Sequence, residues 1–388
     1  MTGVRSHFEP MNDIIIQGSF CLQEKKMARE IQYTTVQQQI DSLKEKGLTF
    51  DNEIIAKKAL ERYGYYNIVN SYKEPYQMND NGVKKYIPGT TFEQIYSVFT
   101  LDHNLRNAIM ASMLELEESL RAATAEVIAV SYGVNHNEYL SFRNYRDRYC
   151  ANPKFTLNAI LGKLHNNAGS DKDPIRYYRE RYHVIPPWIL LKGTYFSTLI
   201  NLIKYFKKEQ KQRLMRLALR LPEDTIISDE LTTLFQSILY ICLDYRNAAA
   251  HGGRIYNFSS KHTESIRITE DVIKVFPRLE QAEDVTGIQQ LLILLTIFVD
   301  NQSFAIIQNA LDRQVNRHLQ CYPNDIEIIS NSIGISIKSV TYVWINEKTK
   351  KFHANEACSG IISPIRKNVE DVDCEIYSPC KRCVKTDE

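Results

Sequence analysis

The chain has 388 residues, of which 44% are hydrophobic and 24% charged, and its formal net charge is +2. This length allows one large domain and a small one, and the composition is that of a globular protein with enough apolar residues for a core. Because the net charge is close to zero, any binding to a nucleic acid must depend on local basic patches. No apolar stretch is long enough to span a bilayer, which predicts a cytoplasmic protein without a membrane partner.

The first part of the chain predicts short helices and turns. Residues 1–30 carry little pattern and are expected to form an N-terminal arm. Apolar spacing predicts a helix over 34–46, ended by Gly47, and a second helix from Asp51. Five tyrosines follow, at positions 63, 65, 66, 72 and 76. Tyrosines can stack on unpaired bases, but this close spacing favours core positions with hydrogen-bonded hydroxyls.

A long helix is predicted from residue 91 past residue 130. Two pairs of opposite charge lie four residues apart in it, where they can form ion pairs: Asp102 with Arg106, and Glu117 with Arg121. For the second pair two interpretations stay open. It is either a surface salt bridge of little energetic value or a polar pair with a function.

Three basic stretches follow the long helix. Residues 143–149 and 176–183 interleave arginines with tyrosines, a composition typical of RNA-contacting surfaces and also of solvated helices. The third stretch is the strongest basic face of the chain, and its opposite side is apolar, which predicts a single amphipathic helix. It is the candidate RNA-binding surface, with Lys204, Lys207, Lys208, Lys211 and Arg213. A solvated face is the alternative.

The best-formed helical pattern lies between Ser228 and Gly253. Ser228 is a predicted N-cap, and Gly252 and Gly253 provide the stop. The residues of its apolar stripe are Leu231, Leu234, Phe235, Ile238, Leu239, Cys242 and Tyr245. The last turns of this helix therefore lie where the stripe gives way to polar residues.

Arg246, Asn247 and His251 occupy those last turns. Histidine can donate and accept protons near neutral pH, and arginine binds phosphate. RNA cleavage without a metal requires both functions. Such a reaction activates a 2′-hydroxyl and leaves a 2′,3′-cyclic phosphate and a 5′-hydroxyl. Arg313 and His318 have the same spacing but lack the neighbouring asparagine, the alanine run and the glycine stop. That second pair is predicted to lie on a solvated helix face.

The spacing Arg-Asn-x-x-x-His at a helix end resembles the signature of the HEPN (higher eukaryotes and prokaryotes nucleotide-binding) ribonucleases. More narrowly, the chain resembles the Abi-like family of bacterial abortive-infection proteins, the AbiD/AbiF group. The matching stretches occur in the family's order and are 39–48, 63–76, 88–106, 115–126, 185–191 and 245–257. One departure is Ser197, where the family pattern has glycine, and it affects packing and not chemistry.

This resemblance implies a HEPN-like helical bundle that cleaves RNA in defence against bacteriophage, with no metal or other cofactor for catalysis. His251 is then the general acid and base, Arg246 stabilises the phosphate, and Asn247 orients one of them. Pairing of two such helices implies a homodimer, or a monomer held apart by a bound small non-coding RNA. Glu117 and Arg121 resemble the polar pair that the family places across from the catalytic helix. A non-catalytic RNA-binding or interaction protein that holds phosphate at the same helix end is the alternative.

The chain changes character after a helical segment over 286–319. Residues 321–325 predict a linker, and alternating β-branched residues over 333–345 predict strands. The predicted fold is therefore mainly α, with a helical HEPN-like domain over 31–320 and a small β-rich zinc-binding module over 325–388.

Four of the eight cysteines lie in the last 31 residues, which favours a metal module over a disulfide scaffold. His353 and Cys358, followed by the Cys380–Cys383 knuckle, match the spacing of a tetrahedral zinc site. Cys374 is an alternative fourth ligand. Because no water-activating glutamate stands in a recognisable place, this zinc is expected to be structural.

Overall fold

The structure is a computed structural model that describes residues 33–298, 302–337, 342–359, 361, 363–368, 372–373 and 375–384. The predicted N-terminal arm and Cys374 lie outside these residues. The described chain is mainly helical with a small C-terminal sheet, as the sequence predicts. None of its helices is long and apolar enough to cross a membrane.

The first two helices form where apolar spacing predicts them, and each begins at a side-chain cap. Helix α1 (Val36–Glu45) starts with a capping box at Thr35, and α2 (Glu53–Tyr63) starts at an asparagine cap. The strands β1 (Gln77–Asp80) and β2 (Val83–Tyr86) then form an antiparallel hairpin, where the sequence pattern predicted only a turn.

One long helix forms the centre of the molecule. Helix α3 (Phe92–Tyr132) has 41 residues, a length of about 60 Å at 1.5 Å per residue, and begins at Thr91. It packs against α9 (Lys208–Leu219), α10 (Asp229–Ala250) and α13 (Gln302–Cys321). Because its apolar residues meet neighbours on several sides, α3 is buried along most of its length.

The other helices are α4 (His136–Tyr139), α5 (Leu157–Ala168), α6 (Ile175–Tyr182), α7 (Pro187–Leu190), α8 (Phe196–Lys204), α11 (Glu270–Val275), α12 (Gly287–Leu295) and α14 (Ile326–Ile333). Helices α8 and α9 divide the predicted basic helix, because residues 205–207 are not helical. The apolar side predicted for this helix is also not fully buried, because Leu217 is 43% exposed. The prediction of a single helix over this stretch was therefore wrong.

The last residue of the predicted linker at 321–325 is buried against the helical domain, whereas residues 321, 323 and 324 are exposed. Asp325 is 3% exposed and accepts hydrogen bonds from the Tyr76 hydroxyl at 2.6 Å and the Gln94 amide at 2.7 Å. Ile329 and Ile333 of α14 also belong to the main hydrophobic core. The helical packing thus continues past the position at which the sequence pattern changes.

The C-terminal sheet comprises β3 (Tyr342–Asn346), β4 (Lys351–His353), β5 (Ile365–Asn368) and β6 (Ser378–Pro379), in the order β5-β3-β4-β6. The pairs β5–β3 and β3–β4 are antiparallel, and β4–β6 is parallel. The sheet has a small core of its own, separate from that of the helices, and an ion pair between Arg366 and Asp312 connects the two parts.

Candidate functional site

Helix α10 is fixed at both ends. At its start the Ser228 hydroxyl accepts the Leu231 N–H at 3.0 Å, and every residue of the predicted apolar stripe is buried. At its end the Gly253 N–H donates to the Ala248 carbonyl at 2.8 Å, which closes the helix as a Schellman motif does. The sequence prediction of this helix and of its stop is confirmed.

The two residues after His251 are glycine for different reasons. Gly252 has a φ of +72°, a left-handed conformation that favours glycine. A Cβ on Gly253 would lie 3.0 Å from the Ala248 carbonyl oxygen, too close for an unstrained side chain. The tight turn leaves His251 as the C-cap, the residue directly after the helix, and it is exposed.

The three predicted catalytic residues lie at this helix end but differ in environment. Arg246 and Asn247 are half-buried, and the Arg246 Nη1 lies 3.5 Å from the Asn247 Oδ1, at the outer limit of a hydrogen bond. The Arg246 Nε is buried and has no hydrogen-bond partner in the described chain. His251 is exposed, so its ring is accessible from solvent, whereas the cation five residues before it in the chain is half-buried.

Glu117 of α3 faces this cation from the neighbouring helix. Its side chain is buried and accepts a hydrogen bond from Arg121, which also donates to the Thr194 carbonyl at 2.9 Å. Burial raises the pKa of Glu117, and the charges of Arg121 and Arg246 oppose that rise. The surface interpretation of the Glu117–Arg121 pair is therefore wrong, because Glu117 lies between two arginines inside the protein.

A second carboxylate of α3 holds the chain that follows His251. Asp102 is fully buried and accepts the backbone N–H groups of Ile255 at 2.8 Å and Tyr256 at 2.6 Å. Its other oxygen accepts the Tyr72 hydroxyl at 2.6 Å. Burial raises the pKa of Asp102, and these hydrogen bonds oppose the rise. One turn further along α3, Arg106 donates to the Gly252 carbonyl at 2.9 Å.

Sequence reasoning identified Asp102 and Arg106 only as neighbours in one helix. Their Nε and Oδ2 atoms are 3.9 Å apart, but both side chains also bind the backbone after His251. The signal available in the sequence was a carboxylate on the helix face that carries Val98, Phe99 and Leu105, which lie three or four residues away. A charged residue in such a position must find polar partners in the core.

The second arginine and histidine, Arg313 and His318, lie in a different environment from the one predicted. Arg313 is exposed, but His318 is completely buried. The His318 Nδ1 lies 2.9 Å from the Ser97 hydroxyl, and its Nε2 lies 2.9 Å from the Asp325 carboxylate. The prediction of a solvated helix face was therefore wrong for His318. Serine, histidine and aspartate form a hydrogen-bonded chain here, but all three are buried and inaccessible to a substrate.

The five residues of the predicted basic face do not share one environment. Lys207 donates to the Arg143 carbonyl at 2.9 Å, and Lys208 pairs with Asp229 at 2.9 Å. Lys211 is 7% exposed, whereas Arg213 is exposed. The fifth residue is Lys204, which lies over the ring of Tyr205 at 5.6 Å. The Lys208–Asp229 contact is at the first residue of α10, so this face lies at the end of α10 opposite to His251.

The four predicted metal ligands come together in the C-terminal sheet. The ligand atoms of His353, Cys358, Cys380 and Cys383 all lie within 4.8 Å of one another. The Cys358 and Cys380 sulfurs are 3.9 Å apart, and the Cys383 sulfur is 3.6 Å from the His353 Nδ1. A tetrahedral zinc with bonds of about 2.0–2.3 Å separates its ligands by roughly 3.5–3.8 Å. The residues present therefore fit a metal.

The chemistry of the knuckle supports the same fit. The backbone N–H of Arg382 has the largest effect on the pKa of Cys380 and lowers it, whereas burial and the neighbouring thiols raise the pKa of Cys358 to about 11. A lower pKa favours the thiolate, which is the form that binds metal. The cluster lies in the C-terminal sheet, whereas Arg246 lies at the end of α10 in the helical part of the chain.

Comparison with known protein families identifies the chain. The model of the family described as "Abi-like protein" matches residues 58–257, which is 200 of 388 residues and thus more than half of the chain. The chain belongs to the Abi-like protein family, and this membership suggests a role in abortive infection. No curated protein and no solved structure matches the chain. The matched segment includes α3 and α10 with Arg246, Asn247 and His251, and ends before the metal cluster.

Proposed function

We propose that this protein is a metal-independent endoribonuclease of the HEPN type that acts in anti-phage abortive infection. The observation that carries the proposal is the end of α10, where an exposed histidine follows a half-buried arginine at a helix terminus tied to α3. Family membership supports the biological role, and the residues at the helix end support the chemistry.

The proposed reaction is an internal transesterification of RNA. A histidine removes the proton of a 2′-hydroxyl, whose oxygen attacks the adjacent phosphorus. The bond to the 5′-oxygen breaks, and that oxygen receives a proton from an acid on the opposite side. The products are a 2′,3′-cyclic phosphate and a 5′-hydroxyl, so no water or metal is consumed. Arg246 stabilises the charge of the phosphorane, and Asn247 orients its guanidinium.

The reaction requires a base and an acid on opposite sides of the phosphorus, and one helix end supplies a single histidine. We therefore propose a homodimer in which two α10 helices face one RNA strand, or a chain kept apart from its partner by a bound small RNA. Ala249 is buried in the core of its own chain, whereas Ala250 is exposed beside His251. Ala250 is then the residue at which a second helix approaches closely.

The C-terminal cluster has a separate role in this proposal. His353, Cys358, Cys380 and Cys383 hold one structural zinc, which stabilises a sheet with only a small hydrophobic core. The zinc takes no part in cleavage. Lys204, Lys207, Lys208, Lys211 and Arg213 belong to the surface that holds RNA.

The test is cleavage of RNA by purified protein in the presence of a metal chelator. Wild-type protein should produce 5′-hydroxyl and cyclic-phosphate termini, and His251→Ala should not. His165 provides a matched control, because it is also an exposed histidine in the last turn of a helix, α5. His165→Ala should retain full activity. RNA that is bound but left intact by the wild type would favour the alternative, a phosphate-holding protein without catalysis.

A further inference from the structure

Lys211 is a lysine in an unusual position. It lies on α9 and is 7% exposed, although lysines are rarely buried without a partner. Burial lowers its pKa to about 8, and the charges of Arg148, Arg146 and Lys204, all of them cations, act in the same direction. Within the described ranges Lys211 has no ion pair or hydrogen bond to a carboxylate.

Two segments far apart in sequence build this cluster. The Arg146 N–H donates to the Tyr205 carbonyl at 2.8 Å, and Lys207 donates to the Arg143 carbonyl at 2.9 Å. These bonds hold residues 143–148 against the break between α8 and α9. Two of the three basic stretches of the sequence therefore form one surface.

The carboxylates nearby do not neutralise the cluster. Asp147 is exposed, and its side chain accepts the backbone N–H of Arg148 at 3.0 Å. Glu209 of α9 is also exposed and makes no ion pair in the described chain. A buried ammonium group surrounded by cations costs free energy in the unliganded protein. An anion bound beside Lys211 would offset that cost, so the cluster is suited to bind a phosphate group.

We propose that Lys211, Arg146 and Arg148 bind the phosphate backbone of single-stranded RNA at a site separate from the cleavage site. The choice of RNA rests on the proposed function. Single-stranded nucleic acid is favoured because Tyr149, the residue after Arg148, is 90% exposed and presents a ring on which an unpaired base can stack. Surfaces that bind single-stranded nucleic acid typically combine arginine and lysine side chains, which contact the phosphates, with an aromatic side chain beside them.

The distance between the two sites sets the length of RNA that reaches both. The Lys208–Asp229 ion pair, and a hydrogen bond from Gln212 to the Ile227 carbonyl, hold α9 at the start of α10. His251 follows the last of the 22 residues of α10, about 33 Å away at 1.5 Å per residue. A stacked strand with about 3.4 Å per nucleotide needs roughly ten nucleotides to cover that span.

The test uses the full chain with His251→Ala, so that binding is measured without cleavage. The probe is a labelled oligouridine of about 20 nucleotides, roughly twice the span between the sites. Lys211→Met in this background should weaken binding about tenfold or more and reduce the slope of log affinity against log salt by about 0.7, the loss of one single-strand phosphate contact. Single-stranded DNA should show the same dependence on Lys211, because phosphate contacts do not depend on the sugar.

Lys348→Met is the matched control. Lys348 is also a lysine, but it is exposed in the turn between β3 and β4 of the C-terminal sheet and belongs to neither site. Its replacement should leave the salt slope unchanged. If Lys348→Met weakens binding as much as Lys211→Met, general attraction by charge explains the binding and the three-residue site is overturned.

Thermal unfolding distinguishes a binding role from a structural one. Lys211→Met should raise the melting temperature of the free protein, because it removes a buried unpaired charge and keeps the apolar stem. A lower melting temperature together with weaker RNA binding would overturn the proposal. If cleavage requires His251 but RNA binding is unaffected by Lys211→Met, only the Lys211 site is overturned and the proposed function stands. RNA binding that needs Lys211 in a protein that never cleaves would overturn only the proposed catalysis.

Discussion

Two stretches of this chain carry an arginine and a histidine five residues apart, and they lie in opposite environments. Arg246 is half-buried and faces Glu117, while His251 is exposed at a helix end. Arg313 is exposed, while His318 is enclosed by Ser97 and Asp325. In the first stretch the histidine is accessible from solvent, and in the second it forms hydrogen bonds inside the core. The same spacing therefore has no fixed meaning, and the environment of each side chain decides its role.

The largest expected difference concerns the two histidines. His251→Ala should reduce RNA cleavage about 10²- to 10⁴-fold, the usual contribution of a general acid or base, with an unchanged melting temperature. His318→Ala should remove the hydrogen-bond partner of the buried Ser97 hydroxyl and one of the three partners of Asp325, and lower the free energy of unfolding by about 2–4 kcal/mol. Initial cleavage rates and thermal unfolding of both variants check this. Cleavage that survives His251→Ala, or a stable His318→Ala, would reverse the assignment.

The two arginines should also differ in their effect on cleavage, with Arg246 needed and Arg313 not needed. Arg246→Ala should reduce kcat about 10²- to 10³-fold, because it removes the group that stabilises the phosphorane. Arg313 pairs with Glu356 at 3.5 Å on the surface, and such a pair contributes about 0–1 kcal/mol. Arg313→Ala should therefore change neither kcat nor the melting temperature measurably. Equal losses of kcat in both variants would contradict the comparison.

A smaller effect is expected where α3 holds the chain after His251. Asp102→Asn keeps the size of the side chain but removes the charge that accepts the N–H groups of Ile255 and Tyr256. We expect a loss of about 1–2 kcal/mol in the free energy of unfolding. Displacement of the helix end should also reduce kcat roughly 10- to 100-fold.

Asp41→Asn is the control for this loss. Asp41 is an exposed aspartate of α1, so its replacement removes one charge without touching the site. It should match the wild type in both measurements. An Asp102→Asn protein that is destabilised yet cleaves at the full rate would show that the tie to α3 does not position the site.

The smallest effect on cleavage is expected from the metal cluster. Purified protein should contain about one zinc per chain, and replacing Cys380 and Cys383 by serine should remove it. The C-terminal sheet should then unfold locally, detected by proteolysis, while cleavage stays within about twofold of the wild type. Preparations without zinc would contradict the metal assignment, and loss of cleavage by a folded helical domain would contradict its structural role.

The sequence was sufficient to predict α10 because its features are local. The cap at Ser228, the apolar stripe and the glycine stop all depend on residues within a few turns of one another. The histidine and cysteine cluster was predictable for a related reason, since a Cys-x-x-Cys knuckle imposes its own geometry and leaves only two partners to find.

The environment of His318 was not predictable in the same way. Helical spacing assigns His318 to a face of α13, but its burial depends on Ser97, which is 221 residues away, and on Asp325. The segment that contains Asp325 carries proline, asparagine and aspartate, which predict a loop, and a loop can still be buried. Likewise, no pattern within α9 shows that Lys211 faces Arg146 and Arg148, because contacts between distant segments are set by packing.

The binding of Ile255 and Tyr256 to Asp102 has a consequence for the motion of the site. Their N–H groups are bonded to a carboxylate with no exposure, as protected as those within a buried helix. Amide hydrogen exchange at these two residues should therefore be slow and should require opening of the contact with α3. Under the proposed function, a helix end that is already ordered would lose little conformational entropy on binding RNA, which would leave the free energy of binding available to orient the scissile phosphate.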